Sequence, residues 1–205
     1  MSAFDFFDDI WCIHHAAKPA RWPVMQARLA RLGIGDRVRR FPSVPSPADE
    51  RIGRALSHRR IVQEAAERGL RSVLAIEDET LFLERTDAVL ARAIAELRGR
   101  SWKVLHLGTW RGSDGLTEEP GCAHLRQAGD RTGPHAVAYG AAAYAELLSR
   151  MPLSFGAMQD HLGKDGSIDG ILAGLAPALV VHPAVATVPF SLPFQEPADQ
   201  ERFVS

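Results

Sequence analysis

Short apolar runs and amphipathic stretches succeed one another along this chain. Ile10 to Ile13 form a continuous apolar run flanked by Asp9 and His14, which predicts a buried first strand. After a proline-containing segment, Trp22, Met25, Leu29 and Leu32 recur at helical spacing, and Gly33 and Gly35 end that helix. Arg37 to Phe41 alternates basic and apolar side chains like a short or edge strand, ahead of the breaker-rich PSVPSPAD stretch. Ser46 followed by Pro47 predicts an N-cap with proline in the first turn. The helix it opens carries Ile52, Leu56, Ile61, Val62, Ala65 and Ala66 on one face to about Arg68, and Gly69 closes it.

Ser72 to Ile76 (SVLAI) is apolar throughout, as a central strand must be, and runs directly into Glu77, Asp78 and Glu79. Beyond it the pattern predicts a helix from about Arg85 to Leu97, a strand over Lys103 to Leu107, and a glycine-bearing loop at Gly108, Gly112 and Gly115. Residues 111–133 lack periodicity and predict a long surface loop or small hairpin. His135 to Tyr139 reads as a strand, Ala141 to Met151 as a helix, Ile168 to Leu175 as a short helix and Leu179 to His182 as a last strand. From Pro183 the chain is proline-rich (Pro183, Pro189, Pro193, Pro197), which predicts a tail that wraps the surface or is partly disordered. Strands alternating with helices, without an internal repeat, imply an α/β sandwich.

With 205 residues, 46% of them hydrophobic, the chain can bury one substantial core, which predicts one domain over 1–185 and a tail over 186–205. The net charge of -1 conceals a basic N-terminal third and an acidic remainder. No basic tail or basic-aromatic interleaving supports nucleic-acid binding. Cys12 and Cys122 lack zinc or redox spacing and read as reduced thiols, which fits a cytoplasmic protein. MSAFDFFDDI is acidic where a signal peptide is basic, and no apolar run approaches the roughly 20 residues that span a bilayer, so any membrane contact would be peripheral.

The acidic strand end is the most informative point. An open α/β sheet binds its ligand outside the carboxyl ends of its strands. Glu77 and Glu79 point to one side if the chain stays extended, and converging carboxylates repel unless a cation lies between them. Mg²⁺ and Mn²⁺ favour oxygen ligands and bridge carboxylates to a diphosphate, which makes Glu77, Asp78 and Glu79 candidate metal ligands. The competing interpretation is a solvated acidic turn capping the next helix. Ser57 and His58 are adjacent on a helix, so their side chains diverge and do not form a nucleophile-base pair. His14, His15 and His182 lack the spacing of a zinc hydrolase.

The block Ile52 to Leu83 resembles glycosyltransferase family 25, the lipooligosaccharide-biosynthesis and collagen galactosyltransferase group. Gly53, Ser57, His58, Gly69, Leu70, Glu77, Asp78 and Phe82 follow that family's order and spacing. Arg21-Trp22 with Met25, the FPSV stretch from Phe41, WKVLHLG from Trp102, His135-Ala136 with Tyr139, and Ile168-Asp169 with Leu172 are similar to flanking elements of the family, so the resemblance spans about residues 10–185.

The resemblance implies a GT-A-like single-domain α/β/α sandwich with a mixed, mostly parallel sheet. It also implies a nucleotide-sugar donor, a UDP-sugar foremost, Mn²⁺ or Mg²⁺, and a saccharide or glycolipid acceptor such as those of lipopolysaccharide biosynthesis. On this reading Arg21, Ser57, His58 and Asp78 bind the donor, with Arg59 a further candidate cation. Asp169, in a second acidic segment with Asp160, His161 and Asp165, is the general base that deprotonates the acceptor. The chain departs from the pattern at His14-His15-Ala16, at Glu79 where aspartate is usual, and at Lys103 where an acid is usual. These departures keep open a GT-A-like domain without turnover that serves as a binding or assembly partner.

Overall fold

The computed structural model describes residues 2–46, 48–110, 116–129, 132–163 and 166–189. Its elements in chain order are β1 (Asp9–His14), α1 (Arg21–Arg31), β2 (Val38–Pro42), α2 (Glu50–Glu67), β3 (Ser72–Glu77), β4 (Leu81–Phe82), α3 (Thr86–Leu97), β5 (Val104–His106), β6 (Leu125–Gln127), β7 (Ala136–Gly140), α4 (Ala141–Arg150), α5 (Phe155–Leu162), α6 (Ile168–Ala173), β8 (Ala178–Val181) and β9 (Ala186–Thr187). A sheet of order β2-β1-β3-β7-β5-β8-β6 forms the centre. β7 and β6 run against the other strands, giving the mixed, mostly parallel α/β architecture expected of a GT-A-like fold.

Alternation along the strands divides the interior in two. Ile10, Cys12, Leu74, Ile76, Leu105, Ala136 and Ala138 face one cluster, which Met25 and Leu29 of α1 and Leu90 and Ile94 of α3 close. Trp11, Ile13, Val73, Ala75, Val104, Val137 and Tyr139 face the other, under Ile52, Leu56 and Ile61 of α2, Leu147 of α4, Met158 of α5 and Leu172 of α6. Each fully buried Leu or Ile contributes about 1.5–3 kcal/mol, so both layers are needed to hold the sheet. At the end of β3 the same alternation sends Glu77 toward α2 and Asp78 toward α1.

Several boundaries differ from the sequence expectation. Asp49, not Ser46, caps α2, its carboxylate accepting from the Arg51 amide; the expected Pro47 lies outside the described residues. β6 emerges from the segment expected to be loop or hairpin, and α5 begins at a Ser154 cap that hydrophobic spacing did not reveal. Within the proline-rich C-terminal stretch, Ala186 and Thr187 pair antiparallel with β4, and Val185, Ala186 and Val188 are buried. Residues 190–205, the rest of the expected tail, lie outside the described residues. Among the described residues no helix is long and apolar enough to cross a membrane.

Candidate functional site

β1, β2 and β3 run parallel, so their carboxyl ends open on the same side. The chain leaves β1 through His15 to Lys18, leaves β2 through Ser43 to Ser46, and leaves β3 through a turn at Asp78 and Glu79, in which the Thr80 amide donates to the Glu77 carbonyl at 3.0 Å. A cleft lies between these exits, lined by Lys18, Arg21, Ser43, Val44, Gly53, Arg54 and all three acids of the EDE sequence, among others.

One wall is set by close packing. A Cβ on Gly53 would lie 2.5 Å from the Val44 carbonyl oxygen and 2.9 Å from the Ser46 Cβ, so only glycine lets α2 press against the loop after β2. Ser57, one turn further along, is fully buried; its hydroxyl accepts from the Val44 amide at 2.9 Å and donates to the Gly53 carbonyl at 2.7 Å. Gly53 and Ser57 therefore shape the cleft from behind. Ser57 itself does not line it.

The carboxylates form a ladder of alternating charge. Asp78 is buried on the α1 side; its Oδ2 accepts from His14 Nδ1 at 2.8 Å and from the His15 amide at 2.9 Å, and its Oδ1 accepts from Arg21 Nη1 at 3.3 Å. Arg21 Nη2 reaches Glu79 Oε2 at 2.8 Å. Arg54, on α2, pairs through Nε with Glu77 Oε1 at 2.8 Å and lies with Nη2 3.7 Å from Glu79 Oε1. Glu77 and Glu79 thus converge on one point, as their spacing predicts, and the cation between them is a guanidinium of the same chain. At the rim, Lys18 donates to both oxygens of Glu50 at 3.1 and 3.2 Å.

Behind Glu77 lies a buried polar relay. His58 is fully buried, with Nε2 3.6 Å from Glu77 Oε1 and Nδ1 2.8 Å from the Tyr139 hydroxyl. Because the carboxylate only accepts, Nε2 carries the proton and Nδ1 accepts from Tyr139. Burial pushes the Glu77 carboxyl up, but the neighbouring His58 imidazole, 3.6 Å away, and the charge of Arg54 outweigh it and hold the group below its ordinary value. Burial raises the Tyr139 hydroxyl well above its ordinary value, and the Glu77 and Asp169 charges add to this.

Asp169 sits in the first turn of α6, on the same side of the sheet. Its Oδ2 accepts from the Ser167 hydroxyl at 3.0 Å, while Oδ1 is buried without a hydrogen-bond partner. Burial raises its pKa; Ser167 and the nearby charge of Arg54 oppose this, and that of Glu77 reinforces it. Asp160 and His161 are exposed on α5, and Asp165 lies outside the described residues. Arg59 points elsewhere, donating to the Met151 carbonyl and to Gln63. Lys103 precedes β5 at the opposite end of the sheet and pairs with Glu146 of α4 at 2.6 Å.

The structure accordingly brings Arg21, Asp78, Glu77 and Glu79 to one cleft, puts His58 directly behind it, and puts Asp169 within electrostatic reach. Lys18 and Arg54 line the cleft without having been singled out from the sequence. The one sequence signal for Arg54 is its place four residues before His58, on the same helix face, which does not say which carboxylate it reaches.

A metal-ligand set at Glu77, Asp78 and Glu79 is not assembled. Mg²⁺ demands a near-ideal octahedron of oxygens at about 2.0–2.1 Å. Here Glu77 and Asp78 leave the strand on opposite faces, both Asp78 oxygens accept from donors of the chain, and Glu77 and Glu79 are paired with arginine. Among the described residues no group of three or more His, Cys, Asp or Glu side chains could hold a metal ion. In this arrangement the residues do not fit a divalent cation.

No family model and no curated protein sequence matches the chain. Among solved structures, a glycosyltransferase involved in the glycosylation of the major capsid of PBCV-1 is similar with a TM-score of 0.58 at 8% identity, over 95% of this chain and 98% of that one. A mannose-1-phosphate geranyltransferase from Thermus thermophilus superposes with a TM-score of 0.46 at 15% identity, over 88% of this chain and 73% of that one. The first likeness, nearly end to end in both chains, is one of fold.

Proposed function

We propose that the chain is a glycosyltransferase that moves a hexosyl group from a nucleotide diphosphate sugar to a hydroxyl of a saccharide-type acceptor. The observation that carries this reading is the cleft at the carboxyl ends of β1 and β3, which Lys18, Arg21 and Arg54 line together with Ser43 and Val44. A strand-end cleft of an α/β sheet is where a nucleotide is expected, and guanidinium and ammonium groups are the side chains suited to its phosphates. The fold shared with the capsid glycosyltransferase supports the same reading, and the resemblance to the lipooligosaccharide and collagen galactosyltransferase group favours a hexose and a UDP donor.

The chemistry asks little of the protein beyond charge and position. Asp169 accepts the proton of the acceptor hydroxyl, whose oxygen bonds to the anomeric carbon as the bond from that carbon to the diphosphate oxygen breaks. The electron pair leaves with the diphosphate, and the developing charge is met by Arg54, Arg21 and Lys18. Glu77 and Glu79 hold the guanidinium groups in place, and the His58-Tyr139 pair holds Glu77.

The test is release of UDP from UDP-hexoses in the presence of a panel of saccharide acceptors, with Glu77→Ala as the control. Turnover by the native chain and its loss in the variant are expected. Equal, background-level release by both overturns the reading.

A further inference from the structure

The carboxylates that would bind a metal already have cations, and those cations line the cleft. We infer that the donor diphosphate is held by the guanidinium groups of this chain, with Arg54 as the central ligand, and that donor binding requires no divalent cation. This inference rests on the donor reading above and adds how the same cleft recognises its anion.

Arg54 presents one edge to Glu77 through Nε, 2.8 Å from Oε1. Its Nη2 lies 3.7 Å from Glu79 Oε1, beyond hydrogen-bonding distance. A guanidinium carries five donors in a rigid fork, and the charges of Glu77 and Glu79 hold this one at the cleft without a hydrogen bond from Arg54 to Glu77 Oε1, which leaves its N-H groups for a ligand. Such a fork grips two oxygens of one phosphate at once. Arg21 stands opposite, anchored to Asp78 and Glu79, and Lys18 lies at the rim on an exposed Glu50.

A divalent cation entering this ladder would have to displace Arg54 from Glu77 and Arg21 from Asp78 and Glu79. It would also have to turn Asp78 away from His14 and the His15 amide while dehydrating itself. The diphosphate asks for none of these exchanges. Among the residues lining the cleft, Glu50, Glu77, Asp78 and Glu79 outnumber Lys18, Arg21 and Arg54, so attraction comes from directed donors at short range. Binding should therefore depend on the shape of the guanidinium and not only on its charge.

Titration calorimetry of the full chain with UDP, once in EDTA and once in Mn²⁺, tests this. The expected result is the same affinity in both, with Arg54→Met weakening it by about tenfold or more in each. Arg54→Lys, which keeps the charge and loses the fork, should fail to restore it. Unfolding midpoints of the two variants separate lost binding from lost folding. Binding that requires Mn²⁺, or equal binding by a folded Arg54→Met chain, overturns the inference and leaves the donor reading standing. No UDP binding in either buffer overturns both.

Discussion

The Val44 amide donates to the hydroxyl of Ser57, a residue thirteen positions away, and that hydroxyl donates in turn to the Gly53 carbonyl. One buried oxygen thus ties the loop after β2 to α2 and fixes the wall of the cleft. Ser57→Ala leaves the Val44 N-H without a partner at a cost of about 1–3 kcal/mol. Gly53→Ala should cost more, because the Cβ meets a backbone carbonyl at 2.5 Å that no rotamer change can move. Thermal unfolding should rank native above Ser57→Ala above Gly53→Ala, with UDP affinity falling in the same order. An unchanged melting temperature for Gly53→Ala would show that the loop does not press on the helix.

How far this was legible differs between the scaffold and the site. SVLAI announced β3 because a strand buried on both faces has little room for polar residues, and its period of two already aimed Glu77 and Glu79 at a common cation. The identity of that cation was not legible. Arg54 is one basic residue among many on α2, and which carboxylate a long flexible side chain reaches depends on how α2 lies over β3, a tertiary fact. The three-residue β6 and two-residue β9 hold too few positions for any period to show, and the prolines around β9 made it look like tail. The α2 cap shifted from Ser46 to Asp49 because both residue types cap helices, and the Asp49 carboxylate is the one that accepts from the Arg51 amide.

Tyr139 and His58 should behave as a structural pair. Tyr139→Phe removes the donor to His58 Nδ1 and leaves a fully buried acceptor unpaired, costing roughly 1–3 kcal/mol. Because His58 Nε2 is the group that faces Glu77, UDP affinity should fall less than stability does. Urea unfolding compared with calorimetry checks this, and a Tyr139→Phe chain as stable as the native one would remove the relay from the account.

His106 predicts an acid limb in stability. It is fully buried, Nδ1 donates to the Gly133 carbonyl at 3.1 Å, and Nε2 has no partner. Burial, the main cause, depresses its pKa to about 4, so the folded chain holds it neutral where an unfolded chain, titrating near 6.5, takes up a proton. The contribution is fully present above about pH 6.5 and is lost progressively as pH falls toward 4, on the order of 3 kcal/mol in all. Unfolding free energies measured between pH 7.5 and pH 4, at constant ionic strength, should fall over that window for the native chain and fall less for His106→Gln. Parallel curves would mean that His106 is not the group that titrates.

Asp169 should separate catalysis from stability. Its pKa is raised, chiefly by burial, so the folded chain disfavours the carboxylate that a general base must present. The sign follows: relative to a neutral side chain, Asp169 costs stability once pH rises through its folded pKa, and none below the unfolded value near 3.9. Asp169→Asn keeps the shape and an acceptor for Ser167, and should unfold at a higher temperature than the native chain at neutral pH while showing no gain at pH 3. Turnover should move oppositely, falling about 100- to 10,000-fold if the carboxylate takes the acceptor proton. The native kcat/KM should decline on the acid side with a midpoint above that of an ordinary aspartate, and the residual activity of the variant should lack that limb. A variant that is both less stable and fully active would assign Asp169 to the first turn of α6 and take the base away from it.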